Sequence, residues 1–155
     1  MADKTVLSLD NPVFTSFLFY STVVILKMMS MSVFTGFHRI TKRVFANEED
    51  CRSASRHGKK LQPVLNNADV ERVRRCHLND LENITAFVLI GLLYTLTGPA
   101  LQMALLHFRI FAGCRIAHTI FYLFATPQPT RGVAFLGGFI VTISMAVNTL
   151  KVATF

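Results

Sequence analysis

The sequence predicts an all-α integral membrane protein, a bundle of four spanning helices, and three observations carry that expectation. Hydrophobic residues make up 52% of the 155-residue chain, with 14 Phe and no Trp, and the mean hydropathy is +0.43, the pattern of a membrane chain rather than a soluble one. Four stretches, 13–37, 77–97, 100–124 and 132–152, reach the roughly 20 residues that a helix needs to cross a hydrocarbon core ~30 Å thick. Ten of the 16 Lys and Arg lie between Arg39 and Arg75, whereas the turn TLTGPALQ between the second and third stretches has no charge. By the positive-inside rule the loop 38–76 is then cytosolic and both termini are luminal.

Each element has its own justification. The leader MADKTVLSLDN holds two acids and one base, and no small-residue cleavage site follows, so the first stretch is expected to be a retained anchor rather than a signal peptide. Lys27, near its middle, needs a partner, for which Asp80 and Glu82 are the candidates. RITKRVFANEED, 39–50, continues the first helix with basic residues and ends in an acidic cluster, and 51–67 is polar, basic and expected to be irregular. Asn67 or Asp69 offers an N-cap and Glu71 suits the first turn, so the second helix should begin well before the membrane. The third span ends at ATPQPT, where Pro127 and Pro129 break the helix and Thr130 can cap the next. On the fourth span Ala134, Gly138, Thr142 and Ala146 form a small-residue stripe suited to close helix approach. The whole chain, 1–155, reads as a single membrane domain without internal repeats.

Several function classes fall away. A formal charge of +7 is accounted for by the basic cytosolic loop, and no nucleic-acid-binding module accompanies it. Cys51, Cys76 and Cys114 form no CxxC pair and no zinc spacing, so neither a metal site nor a disulfide framework is expected. Asn83-Ile84-Thr85 matches a glycosylation acceptor but falls inside the second span.

The chemistry concentrates in ERVRRCHLNDLEN, residues 71–83, an ionic run that leads into an apolar span. An isolated charge near a helix centre costs ~2.5–3.5 kcal/mol on insertion scales, so charges placed there must pair or serve a function. Arg72, Arg75, Asn79 and Glu82 recur at intervals of three and four and form one stripe; Arg115, His118 and Tyr122 do the same on the third span, and Arg131 opens the fourth. Polar faces of this kind also serve merely to join helices. So many cations with one acid exceed what packing requires, and they suit a small peptide with free carboxylates and an amine.

The segments FANEED, ERVRRCHLNDLEN, GLLYTLTGP, HFRIF, RIAHTIFYL and PQPTR, in this order and at these distances, resemble the MAPEG family of membrane-associated proteins in eicosanoid and glutathione metabolism. The resemblance covers residues 11–146 and implies a homotrimer of four-helix subunits that binds glutathione between neighbouring subunits on the cytosolic side. It implies glutathione contacts at Arg39, Arg74, Arg75, His77, Asn79, Glu82 and Tyr122, with Arg131 as the catalytic residue that holds the thiolate. The implied activity is transfer of glutathione to hydrophobic electrophiles, with reduction of lipid hydroperoxides as a second activity and glutathione as the co-substrate. The implied location is the endoplasmic reticulum membrane, with the mitochondrial outer membrane as a second candidate. The alternatives within the family are a prostaglandin E synthase, an isomerase, and a non-catalytic lipid-binding scaffold. The isomerase branch shares Asp50 and Arg131 but typically has Arg where this chain has Leu78 and Ser where it has Gly132. Cys51, among Arg52, Arg56 and Lys59, matches a loop cysteine that the resemblance links with activation by thiol modification, and it is expected to be exposed.

Overall fold

The computed structural model describes residues 6–55 and 60–153. It is all-helical among those residues: α1 (Pro12–Lys42), α2 (Glu48–Ala54), α3 (Ala68–Leu96), α4 (Leu101–Leu123) and α5 (Thr130–Val152). α1 packs on α3 and α4, α3 also on α4 and α5, and α4 on α5. Of these, α1 and α5 are long and apolar enough by composition to cross a membrane. α3 and α4 interrupt their apolar surfaces with the ionised residues of the site described below.

Local chemistry sets the helix ends. Asn11 opens α1 by accepting a hydrogen bond from the Val13 amide, with Pro12 in the first turn where its missing N–H costs nothing. Arg43, in a left-handed conformation at φ 54°, closes the helix, so the basic residues 39–42 do continue it as expected. Asn67, rather than Asp69, caps α3, its side-chain oxygen accepting from the amides of Asp69 and Val70. Asp69 instead pairs with Lys42 and with Arg72, tying the start of α3 to the end of α1. Thr130 is the first residue of α5 and not its cap: its hydroxyl donates to the Pro127 carbonyl at 2.8 Å.

The segment expected to be irregular from 51 onward contains the end of a short helix. Glu48, Glu49 and Asp50 occupy the first turn of α2, where carboxylates favour the positive end of the helix dipole. The helix turns Cys51 inward: it is 2% exposed, and its thiol points to the Phe45 carbonyl at 3.9 Å. The expectation of an exposed thiol is therefore corrected. Of its expected basic neighbours, Arg52 is described, whereas Arg56 and Lys59 lie outside the described residues.

The apolar core is aromatic. Phe87 of α3 stacks on Phe111 of α4 with ring centroids 3.8 Å apart, and Phe108 meets Phe17 at 5.8 Å and Phe87 at 6.1 Å. Gly91 admits this packing: a Cβ there would lie 2.7 Å from the Phe17 ring. The small-residue stripe of α5 has a similar use within the chain. Ala134 and Gly138 are buried, and a Cβ at Gly138 would already touch Phe111 and Cys114 of α4 at 3.6–3.7 Å. Leu26, Val33, Leu89, Leu93, Ile140 and Ile143 point outward and stay exposed, the surface a membrane protein presents to lipid or to another subunit.

Candidate active site

The α3 helix carries two polar faces with opposite fates. Val73, Cys76, Asp80, Ile84 and Phe87 recur at intervals of three and four on the buried side, so Asp80 is delivered into the core with 0% exposure. There Lys27 Nζ donates to its Oδ2 at 2.5 Å and Arg115 Nη2 donates to its Oδ1 at 2.5 Å. The same Arg115 nitrogen donates to Asn79 Oδ1 at 2.8 Å. Asp80, rather than Glu82, is thus the partner of Lys27. The trio holds two cations and one anion, a formal surplus of one positive charge, and the buried Nε and Nη1 of Arg115 find no acceptor among the described residues.

That network corrects one expectation. Arg115, His118 and Tyr122 do not form a shared ligand-facing stripe: Arg115 is 1% and His118 4% exposed, both inside the helix packing, and Tyr122 alone reaches the surface in part. The signal was present in the sequence. Phe108, Phe111 and Ala112 precede Arg115 and His118 on the same face of α4, and an arginine in line with core aromatics calls for a buried acid opposite.

The outer face of α3 is only partly paired. Glu71, Arg74, Arg75, His77, Leu78 and Leu81 line a shallow cavity of about 370 Å³. Arg74 is held by Glu71, its Nη1 donating to both carboxylate oxygens at 2.7 and 3.0 Å. Arg75 and Glu82 are exposed and enter no ion pair among the described residues. They stand seven positions apart, almost two full turns, so the two residues share one helix face about 10 Å apart along the axis. Asn79 lies between them, half-buried, one side engaged by Arg115.

Tyr122 and Arg131 meet at another corner. The Arg131 guanidinium carbon lies 4.9 Å from the centre of the Tyr122 ring, and His118 packs against the same ring at 5.4 Å. Arg131 is the second residue of α5, next to backbone N–H groups without helical partners, a place that favours an anion. Its Nε is buried with no acceptor among the described residues. Arg39 sits half-buried in the last turn of α1, and its side chain joins neither group through a hydrogen bond or ion pair among the described residues. Within one chain the expected site residues therefore form three parts: Arg74, Arg75, His77, Asn79 and Glu82 on α3; Tyr122 with Arg131; and Arg39.

Next to Arg131 is an apolar hollow of about 550 Å³ between α4 and α5, lined by Gly113, Cys114, Ala117, Phe121, Pro129, Thr130, Val133, Ala134 and Gly137. The small residues make it: a Cβ on Gly137 would stand 2.7 Å from Cys114 Sγ.

Two long apolar helices, apolar side chains facing outward and an ionic centre inside the packing are features of a helical membrane protein. The sequence model of the MAPEG family matches residues 17–151, and the chain belongs to that family. It is 54% identical over 151 residues to microsomal glutathione S-transferase 1 of Sus scrofa, covering 97% of each chain. To the protein of the same name from Homo sapiens it is 52% identical over 144 residues, 92% of each chain. Prostaglandin E synthase of Homo sapiens is 38% identical over 144 residues, covering 93% of this chain and 92% of that protein.

Proposed function

We propose that the protein is a membrane-bound glutathione transferase that joins the glutathione thiolate to hydrophobic electrophiles and reduces lipid hydroperoxides with the same thiolate. The observation that carries this reading is the unneutralised stripe of Arg75, Asn79 and Glu82 on α3. Glutathione has carboxylates at both ends of an extended tripeptide and one α-ammonium. Arg75 suits a carboxylate and Glu82 the ammonium, through charge-assisted hydrogen bonds. His77 and Arg74 border the same cavity. Two further features support a site completed by a second subunit in a homotrimer of four-span subunits: the separation of Arg39 and Arg131 from this stripe, and the broad exposed apolar surface of the helices. The endoplasmic reticulum membrane is the proposed location, with the site on the cytosolic side where the basic loop lies.

The chemistry requires a thiolate. An ordinary thiol has a pKa of ~8.5, and lowering it by about two units takes ~2.7 kcal/mol of preferential stabilisation of the anion. Arg131 is the proposed source, supported by its permanent charge and its position in the first turn of α5. The thiolate attacks the electrophilic carbon, forms the C–S bond and expels the leaving group with the bonding electrons. With a hydroperoxide it attacks the terminal oxygen and breaks the O–O bond, which gives a glutathione sulfenic acid and an alkoxide that takes a proton from water to leave as the alcohol; a second glutathione then converts the sulfenic acid to the disulfide and water. The hollow between α4 and α5, which includes Thr130 beside Arg131, offers an apolar co-substrate a way in from the bilayer.

The higher identity to glutathione transferases than to prostaglandin E synthase favours transfer over isomerisation, and Leu78 and Gly132 point the same way. Purified protein given glutathione with an aromatic halide, a fatty-acid hydroperoxide or prostaglandin H separates the two. Conjugation of the first and reduction of the second are expected; isomerisation of prostaglandin H alone would replace this reading with the isomerase one.

A further inference from the structure

We propose that Arg115 is a positioning residue that fixes Asn79 as a hydrogen-bond donor to a carboxylate of bound glutathione. The inference rests on the glutathione reading and adds to it the orientation of one contact and the group that sets it. A carboxamide has an accepting oxygen and a donating NH2 group, and when free it can turn either toward a ligand. Arginine has donors only, so the Asn79 atom facing Arg115 Nη2 at 2.8 Å must be the oxygen. Nδ2 is thereby turned the other way, and it makes no hydrogen bond among the described residues.

Arg115 cannot drift from this task, because it is 1% exposed and anchored to Asp80, which Lys27 holds in turn. The three helices α1, α3 and α4 thus fix one amide. The surplus positive charge of the Lys27–Asp80–Arg115 trio lies behind the Asn79 oxygen and polarises the amide, which strengthens its N–H groups as donors. An anionic acceptor therefore fits better than a neutral one, and the exposed Arg75 one turn away supports the same carboxylate.

The test is a double-mutant cycle read as glutathione dissociation constants in detergent, with KM for an aromatic halide measured alongside. Arg115→Lys keeps the charge but is one atom shorter than the guanidinium arm whose Nη2 reaches both Asp80 and Asn79. It should weaken glutathione by about tenfold in the parent protein and by less than about twofold in an Asn79→Ala background, with the halide KM unchanged. Equal losses in both backgrounds would overturn the proposal. If Arg115→Lys fails to fold, Asn79→Asp decides: it keeps the contact with Arg115 but offers no donor, so glutathione should bind at least about tenfold more weakly at an unchanged melting temperature. Parent-like affinity in that variant would exclude the donor role. A parent protein that binds no glutathione would remove the glutathione reading, and this proposal with it.

Discussion

The two faces of α3 use the same residue types for opposite ends. On the inner face Asp80 is shut away from solvent and shared between Lys27 and Arg115, each 2.5 Å distant. On the outer face Arg75 and Glu82 are exposed and left without partners among the described residues. The inner charges are costly to bury and are tolerated because both cations pair with the one acid; removing Asp80 would strand the two of them. The outer charges cost little where they stand and gain their value when a ligand of matching charge and length arrives. On the proposed reading stability and recognition are divided between faces of a single helix, and Asn79, bonded to Arg115, stands between the two.

The sharpest way to break this division is at the inner face. Asp80→Ala would leave Lys27 and Arg115 facing each other without an acid, and a loss of about 3–5 kcal/mol is expected, read as a large fall in melting temperature in detergent. If the melting temperature moved little, the inner network would not be the structural centre described here. At the outer face the effects should invert. Arg75→Ala or Glu82→Ala should change stability by less than about 0.5 kcal/mol yet weaken glutathione binding by about tenfold or more. A fall in stability with unchanged affinity would reassign these residues to the scaffold. The smallest effect is expected at Arg74, which is already engaged by Glu71 one turn away on an open surface. Arg74→Ala should cost ~0.2–0.5 kcal/mol of stability and weaken glutathione less than Arg75→Ala does. Calorimetric titration of both variants orders them, and the reverse order would mean that Arg74 leaves Glu71 for the ligand.

How much of this was legible in the sequence depended on whether the information was local. The four long helices were visible as apolar stretches, and the early start of α3 followed from its capping residues. α2 was not visible, because EEDCRSA is seven residues with too little apolar periodicity to mark a buried face; without it Cys51 read as an exposed loop thiol. Pairing across helices was half legible. Lys27 plainly needed an acid, but sequence spacing cannot set the register between α1 and α3, so Asp80 and Glu82 stood equal until packing placed one inside and one outside. The small residues of α5 suit close approach, although sequence cannot say to what; Ala134 and Gly138 are buried within the chain, Gly138 against α4, whereas Thr142 and Ala146 are only half-buried. For the site, spacing places Arg75, Asn79 and Glu82 on one face of α3, but Arg72, expected in the same stripe, pairs with Asp69 instead, and the diversion of Arg115 into the core required knowing which face of α4 turns inward.

Arg131, whose buried Nε finds no acceptor among the described residues at the start of α5, is the proposed holder of the thiolate. Glutathione added to the detergent-solubilised protein at neutral pH should raise the ultraviolet absorbance of the thiolate, while Arg131→Leu should bind glutathione with similar affinity and give little of that rise. An equal rise in Arg131→Leu, or none in the parent protein, would contradict the assignment of this residue as the group that holds the thiolate.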